Sequence, residues 1–250
     1  MVGGLSALIG AAMVGPRIGK FNKDGTPNLI KGHNLPFVVI GTFILFFGWF
    51  GFNPGSTLLA NDLRISVIAA NTFLAGVTGA VVALYWTFIK TGKMDIVMGC
   101  NGSLVGLVAI TAPCAYVSPW ASVVIGGLAV PVMMFAAYLV ERVWRVDDAV
   151  GAVPVHLAGG IFGVIAVGIF ADGTYHGVQG LITGHVGQLL LQLVDVGAAI
   201  VWVAPTMFLT FYGIKKTMGL RASREEELQG LDIPEHGMEA YPVEKETEPV

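Results

Sequence analysis

Residues Pro154–Phe170 read PVHLAGGIFGVIAVGIF, and this stretch decides the fold. It is apolar over a length that enters a bilayer, and from Ala149 to Ala171 His156 is its single ionisable side chain. Burying a titratable ring in hydrocarbon is costly, so such residues face a cavity or a partner and mark transport or proton paths. The plainer reading is a neutral core histidine that donates one N–H to a carbonyl. Position alone leaves both readings open.

The rest of the chain has the same character. Its 250 residues are 54% hydrophobic and 12% charged, against about 25% charged in soluble domains. The chain reads as an all-α, polytopic transmembrane helix bundle, because helices satisfy their own backbone hydrogen bonds in lipid. A span needs about 20 apolar residues. Six candidates run Pro36–Ala60, Ile65–Ile89, Met94–Val117, Trp120–Val140, Val153–Ala171 and Val186–Ile214. Met1–Gly15 is apolar but would form a helix of only about 22 Å, which reads as the second half of a span. Pro54, Pro113, Pro131 and Pro154 predict local breaks or kinks, and 34 glycines suit close helix packing in lipid.

The loops alternate in charge. Arg17, Lys20, Lys23 and Lys31 precede the first full span, and the next loop has Arg64 beside Asp62. Lys90 and Lys93 follow, then an uncharged turn at Ser118 and Pro119, then Arg142 and Arg145. A loop with Asp172 comes next, and finally Lys215, Lys216, Arg221 and Arg224. The positive-inside rule places the C-terminus in the cytoplasm of a multi-pass protein of the cell (plasma or inner) membrane. Residues 1–217 are expected to form the membrane domain. Residues 218–250 form a solvated tail with nine acids, from Glu225 to Glu248, against Arg221, Arg224 and Lys245.

Several function classes drop out. The opening lacks the charged n-region and cleavage site of a signal peptide. Cys100 and Cys114 would lie about 21 Å apart on one helix, too far to bridge. The sequon at Asn101 falls inside an apolar span and is discounted. No phosphate loop, dinucleotide fingerprint, CxxC, serine triad or nucleic-acid signature is present, so no enzyme, catalytic group, cofactor or nucleic-acid partner is expected. His176 and His185 have no clustered co-ligands, and no metal site is expected there.

Other constellations carry chemistry. GWFGFNPGS, Gly48–Ser56, gathers Trp49, Phe50, Phe52, Asn53 and Ser56 where Pro54 and Gly55 should break a helix. Aromatic faces attract cations; an aromatic belt at the membrane interface is the alternative. RVDD, Arg145–Asp148, reads as a helix N-cap whose acids complement the dipole. Asp195 lies within the last span, either as a functional acid or in a helix–helix hydrogen bond. Finally, Met1-Val2-Gly3-Gly4-Leu5 echoes Leu157-Ala158-Gly159-Gly160-Ile161, a faint internal repeat of the kind found in transporters.

These motifs together resemble the ammonium transporter family, which includes methylammonium permeases and Rhesus proteins. The resemblance rests on GPRIGKF at Gly15, GWFGFNPGS at Gly48, ANTFLAG at Ala70 and GCNGSLVGLVAITAPCAYV at Gly99. It extends to RVDDAVGAVPVHLAGG at Arg145 and GLRASREEELQGLDIPEHGMEAY at Gly219. It implies a homotrimer with one pore per subunit, each subunit having eleven helices in two inverted repeats plus a last long helix. On this reading the chain matches the end of helix five through helix eleven. Ser56, Trp49 and Phe52 correspond to groups that recruit and gate ammonium, for which methylammonium is an analogue. His156 corresponds to the second of two pore histidines. The first is expected immediately before Met1, as if an internal methionine were taken as a start or the gene were split. Asp147 and Asp148 match paired acids on the cytoplasmic side, whereas Gly151 stands where relatives usually carry an acid. The tail resembles a segment that contacts neighbouring subunits and PII-type nitrogen regulators. A transporter, a sensor on the same scaffold and an inactive fragment are the competing expectations, with NH3 and NH4+ both open as the net species.

Overall fold

A computed structural model of the chain describes residues 1–241. The last part of the expected acidic tail, including Glu244, Lys245, Glu246 and Glu248, lies outside the described residues. The chain is helical throughout its membrane region. α1 spans Val2–Val14, α2 Leu35–Gly55, α3 Arg64–Thr91, α4 Ile96–Thr111 and α5 Pro119–Tyr138. α5 winds into a π-helical turn at Leu139–Val143. A second π-helical segment, Val153–Ala158, leads directly into α6, Gly159–Phe170. α7 spans Val186–Thr217, and the tail adds two short helices, α8 (Arg224–Gln229) and α9 (Asp232–His236).

Five of the six expected spans are helices long and apolar enough to cross a membrane. The sixth, expected over Met94–Val117, is shorter than the sequence suggests. α4 has 16 residues, about 24 Å of helix. Pro113 has no N–H to continue the ladder, and the chain turns through Ala112–Val117 instead. Carbonyls released at this depth need donors. Asn71 of α3 supplies them: its Nδ2 donates to the carbonyls of Cys114 (2.9 Å) and Val117 (2.8 Å). Pro131, by contrast, sits inside a continuous α5.

α3, α4 and α5 form the core, packed through small residues. A Cβ on Gly79 would lie 2.1 Å from the carbonyl oxygen of Gly102, and one on Gly106 would lie 2.2 Å from that of Ala75. Gly126 of α5 approaches the same Ala75 carbonyl to 2.4 Å by that measure. Backbones this close leave no room for larger side chains, which is how helices gain contact when lipid is as apolar as leucine. Ile68, Val105, Ile110, Ile125, Met133 and Val155 fill the space around these crossings. The outer faces are apolar too: Phe43 of α2 is 67% exposed and Phe47 81%.

The loops separate into two clusters, one at each end of the bundle. At one end Arg17 pairs with Asp147 (2.8 Å), Lys20 with Glu141, and Glu227 of α8 accepts from the Ile18 N–H (2.7 Å). At the other end Ser118 donates to Asp172, and Tyr116 and His176 have ring centres 6.0 Å apart. The base-rich loops at 15–34 and 141–152 and the tail therefore meet on one face, and the base-poor loops meet on the other.

Candidate functional site

The helix carrying GWFGFNPGS ends where its motif predicts. Asn34 caps the start of α2, accepting from the Phe37 N–H at 3.1 Å. The helix stops at Gly55, one residue beyond Pro54. The broken end opens a cavity of about 330 Å³ lined by Phe52, Asn53, Ser56, Thr57, Arg64, Ile68, Thr111–Tyr116 without Pro113, and His176. The structure thus brings Phe52 and Ser56 into one cavity on the base-poor end. Phe52 is 62% exposed, its ring open rather than stacked against a partner. Ser56 Oγ donates to the carbonyl of Phe52 at 2.6 Å, which leaves its lone pairs as acceptors.

Trp49 sits about one turn deeper on α2. Its Nε1 donates to Thr111 Oγ1 at 2.9 Å, and that hydroxyl in turn donates to the carbonyl of Leu107 at 2.8 Å. Thr111 also lines the cavity, so Trp49 is fixed to its wall. Arg64 and Asp62 form an ion pair at the rim. The Arg64 side chain, then its backbone N–H, holds the Asp62 carboxyl down to about 2.

His156 lies elsewhere, half-buried on the π-helical segment that precedes α6. A π turn carries an extra residue and often marks a functional site. Asp148 starts this segment: its carboxylate accepts from the N–H of Ala152 (3.0 Å) and Val153 (2.7 Å). The N-cap position expected within RVDD falls instead at Ala152, and Asp148 reaches the start of the segment from four residues upstream. Asp147 serves another end, buried against Arg17, which it meets through the Arg17 backbone N–H (2.9 Å), Nε (2.8 Å) and Nη2 (2.8 Å). Burial pushes the Asp147 carboxyl up, but the three Arg17 donors outweigh it and leave it below the usual carboxylate range.

α1 holds the other side of the His156 segment. A Cβ on Gly4 would lie 2.1 Å from the Leu157 nitrogen, and a Cβ on Gly160 would lie 2.4 Å from the Met1 nitrogen. These are the positions aligned by the internal echo, Met1 with Leu157 and Gly4 with Gly160. The contact is thus reciprocal, as a two-fold relation between repeats requires. Among the described residues, no hydrogen bond joins either ring nitrogen of His156 to another group, so the carbonyl partner of the plainer reading is not there. α4 connects the two places: Val105 and Val108 pack on Gly159, and Thr111, higher on the same helix, holds Trp49.

The other candidates resolve simply. Asp195 is exposed on α7. Cys100 and Cys114 are buried and free. Arg64, Tyr116 and His176 line the cavity but were not legible as site residues, because they come from the start of α3 and from two loops that only the fold brings together. His176 has a positive φ of 69°, rare for a residue with a Cβ, and it lines the cavity.

Comparison with known proteins identifies the family. The sequence model of the Ammonium Transporter Family matches residues 1–241. The chain is 50% identical to ammonium transporter Amt2 of Archaeoglobus fulgidus over 248 residues, covering 96% of this chain and 53% of Amt2. It is 38% identical to ammonium transporter 1 member 2 of Arabidopsis thaliana, covering 96% of this chain and 51% of that one. Among solved structures, a protein described as a sensor Amt protein superposes with a TM-score of 0.87 at 37% identity, covering 94% of this chain and 57% of that one. Candida albicans Mep2 superposes with a TM-score of 0.78 at 29% identity, covering 89% of this chain and 50% of Mep2. The chain therefore spans about half the length of the relatives it matches. Because the family's sequence model matches residues 1–241 of its 250, the chain belongs to the ammonium transporter family.

Proposed function

We propose that the protein moves ammonium or ammonia across the cell membrane. The cavity at the broken end of α2 carries this reading, because it joins aromatic and hydroxyl groups at the mouth of an apolar bundle. An ion crossing bare hydrocarbon meets a prohibitive barrier. Phe52, the Trp49 ring below it and the Ser56 oxygen can stabilise a small cation before it loses water, by about 0.5–2 kcal/mol for each aromatic contact. His156, whose ring makes no hydrogen bond to another described residue, can accept or relay the proton. Ammonia, now neutral, then passes the apolar section.

On the same reading the protein works as a homotrimer, its base-rich face and C-terminal tail lie in the cytoplasm, and PII-type regulators act on that face. Residues 1–217 form the membrane domain and 218–250 the tail. Uptake of labelled methylammonium into proteoliposomes holding the full-length protein tests transport. No uptake above protein-free vesicles would defeat it. The likeness to the sensor Amt protein supports a second reading, ammonium sensing on the same scaffold. Sensing predicts ammonium binding without uptake, which the same vesicles distinguish.

A further inference from the structure

We infer that His176 sets the charge of the outer cavity: once protonated from the outer solution it opposes entry of a cation, so acid on that side weakens ammonium recruitment. The inference deepens the transport reading. It rests on that reading for the identity of the cation, and for the cytoplasmic placement of the base-rich face, which makes this cavity the outer one.

His176 comes from the loop between α6 and α7 and lines the cavity with Phe52, Ser56, Arg64 and Tyr116. Its ring lies beside that of Tyr116, their centres 6.0 Å apart. The residue is exposed, so protons reach it from the solution on that side. Arg64 is paired with Asp62, and the two charges cancel. The Asp62 carboxyl is held low chiefly by the Arg64 side chain, and His176 adds a weaker pull, which sets the ring near this pair. In the same loop the Asp172 carboxylate is engaged by Ser118 and by the Thr174 N–H (2.9 Å). Tyr116 and Cys114 are the other titratable groups on the wall, and a phenol and a thiol are uncharged near neutrality.

With Arg64 cancelled by Asp62, His176 decides the net charge of the lining. Histidine is the side chain whose charge ordinarily changes between pH 5 and 8. When it is neutral, the lining is near zero net charge, and the Phe52 face and the Ser56 lone pairs dominate. When it is protonated, it adds one positive charge that no other described lining residue cancels. A cavity of about 330 Å³ is roughly as wide as one Debye length, about 8 Å at physiological salt. The added charge therefore acts on a cation anywhere inside it.

The test follows labelled methylammonium uptake by cells expressing the full-length protein, with the outer solution set between about pH 8 and pH 5, where the probe stays a cation and histidine titrates. Wild type should need about threefold more methylammonium for half-saturation at the acid end. His176→Asn is neutral and tolerates a positive φ, so its half-saturating concentration should stay level. His176→Arg carries the charge at every pH and should need the higher concentration throughout. His185→Asn is the control: His185 is in the same loop but meets Thr183 (3.2 Å) and is off the cavity wall, so this variant should follow wild type. A wild-type requirement independent of outer pH would overturn the inference. So would a pH dependence that survives in His176→Asn, or one that is lost in His185→Asn. Purified protein separates the two levels, because a bound ligand raises the unfolding midpoint by mass action. The ammonium needed for a given rise should increase on acidification in wild type and not in His176→Asn. That result with no wild-type uptake defeats transport and leaves the charge role of His176 standing.

Discussion

Gly4 lies so close to the nitrogen of Leu157 that a Cβ would come within 2.1 Å of it. The atom in the way is backbone, one residue from His156, and it cannot swing aside as a flexible side chain would. Gly4→Ala should therefore displace α1 or the His156 segment and destabilise the protein by about 1–3 kcal/mol. Gly3→Ala, with nothing within 4 Å of its added carbon, is the control and should be near neutral. Thermal unfolding of both variants in detergent checks the contrast, and equal midpoints would refute the packing argument.

His156 should be needed for transport but not for assembly. His156→Ala in the full-length protein is expected to reduce methylammonium uptake by at least tenfold, a barrier change of about 1.4 kcal/mol or more. The oligomer should elute unchanged from a sizing column, because the ring makes no hydrogen bond to another described residue. Normal uptake by a normally assembled variant would remove His156 from the pathway.

Trp49 is expected to act in two separable ways. Trp49→Phe keeps an aromatic face but gives up the 2.9 Å bond to Thr111, for a stability loss of about 1 kcal/mol and a small change in apparent affinity. Trp49→Leu also removes the face, and should raise the half-saturating methylammonium concentration several-fold further. If the two variants have equal affinities, the ring does not contact the cation.

The Arg17–Asp147 pair gives a pH-dependent signature. Asp147 is buried and Arg17 partly exposed, with side-chain exposures of 2% and 38%. Asp147→Asn should therefore cost about 1–3 kcal/mol, less than a fully buried pair because solvent screens the arginine. The carboxyl sits below its ordinary value in the folded protein. Its contribution is then fully present above an unfolded-state value of about 3.9 and is lost as pH falls through the lower folded value. The stability gap between wild type and Asp147→Asn should hold from neutral pH to about 4 and narrow below it. A gap that already closes between pH 7 and 5 would contradict this.

Sequence alone determined that this is a helical membrane protein, roughly where its spans run, and which family motifs they carry. Hydrophobic length and loop charge are local quantities, summed over consecutive residues, and folding does not change them. That an acid of RVDD serves the start of the next helical segment was legible for the same reason, since Asp148 acts on N–H groups four and five residues on, although the N-cap itself is Ala152. Tertiary structure decided what depends on distant residues meeting. It split Asp147 from Asp148, one to Arg17 and one to the His156 segment. It ended α4 at Thr111 and let Asn71, from another helix, donate to the Cys114 and Val117 carbonyls of the turn that follows. It also fixed the Asn53 amide against Thr72. In the sequence Asn53 is one polar residue among aromatics. Only Thr72, 19 residues on, fixes which end of its amide remains unpaired.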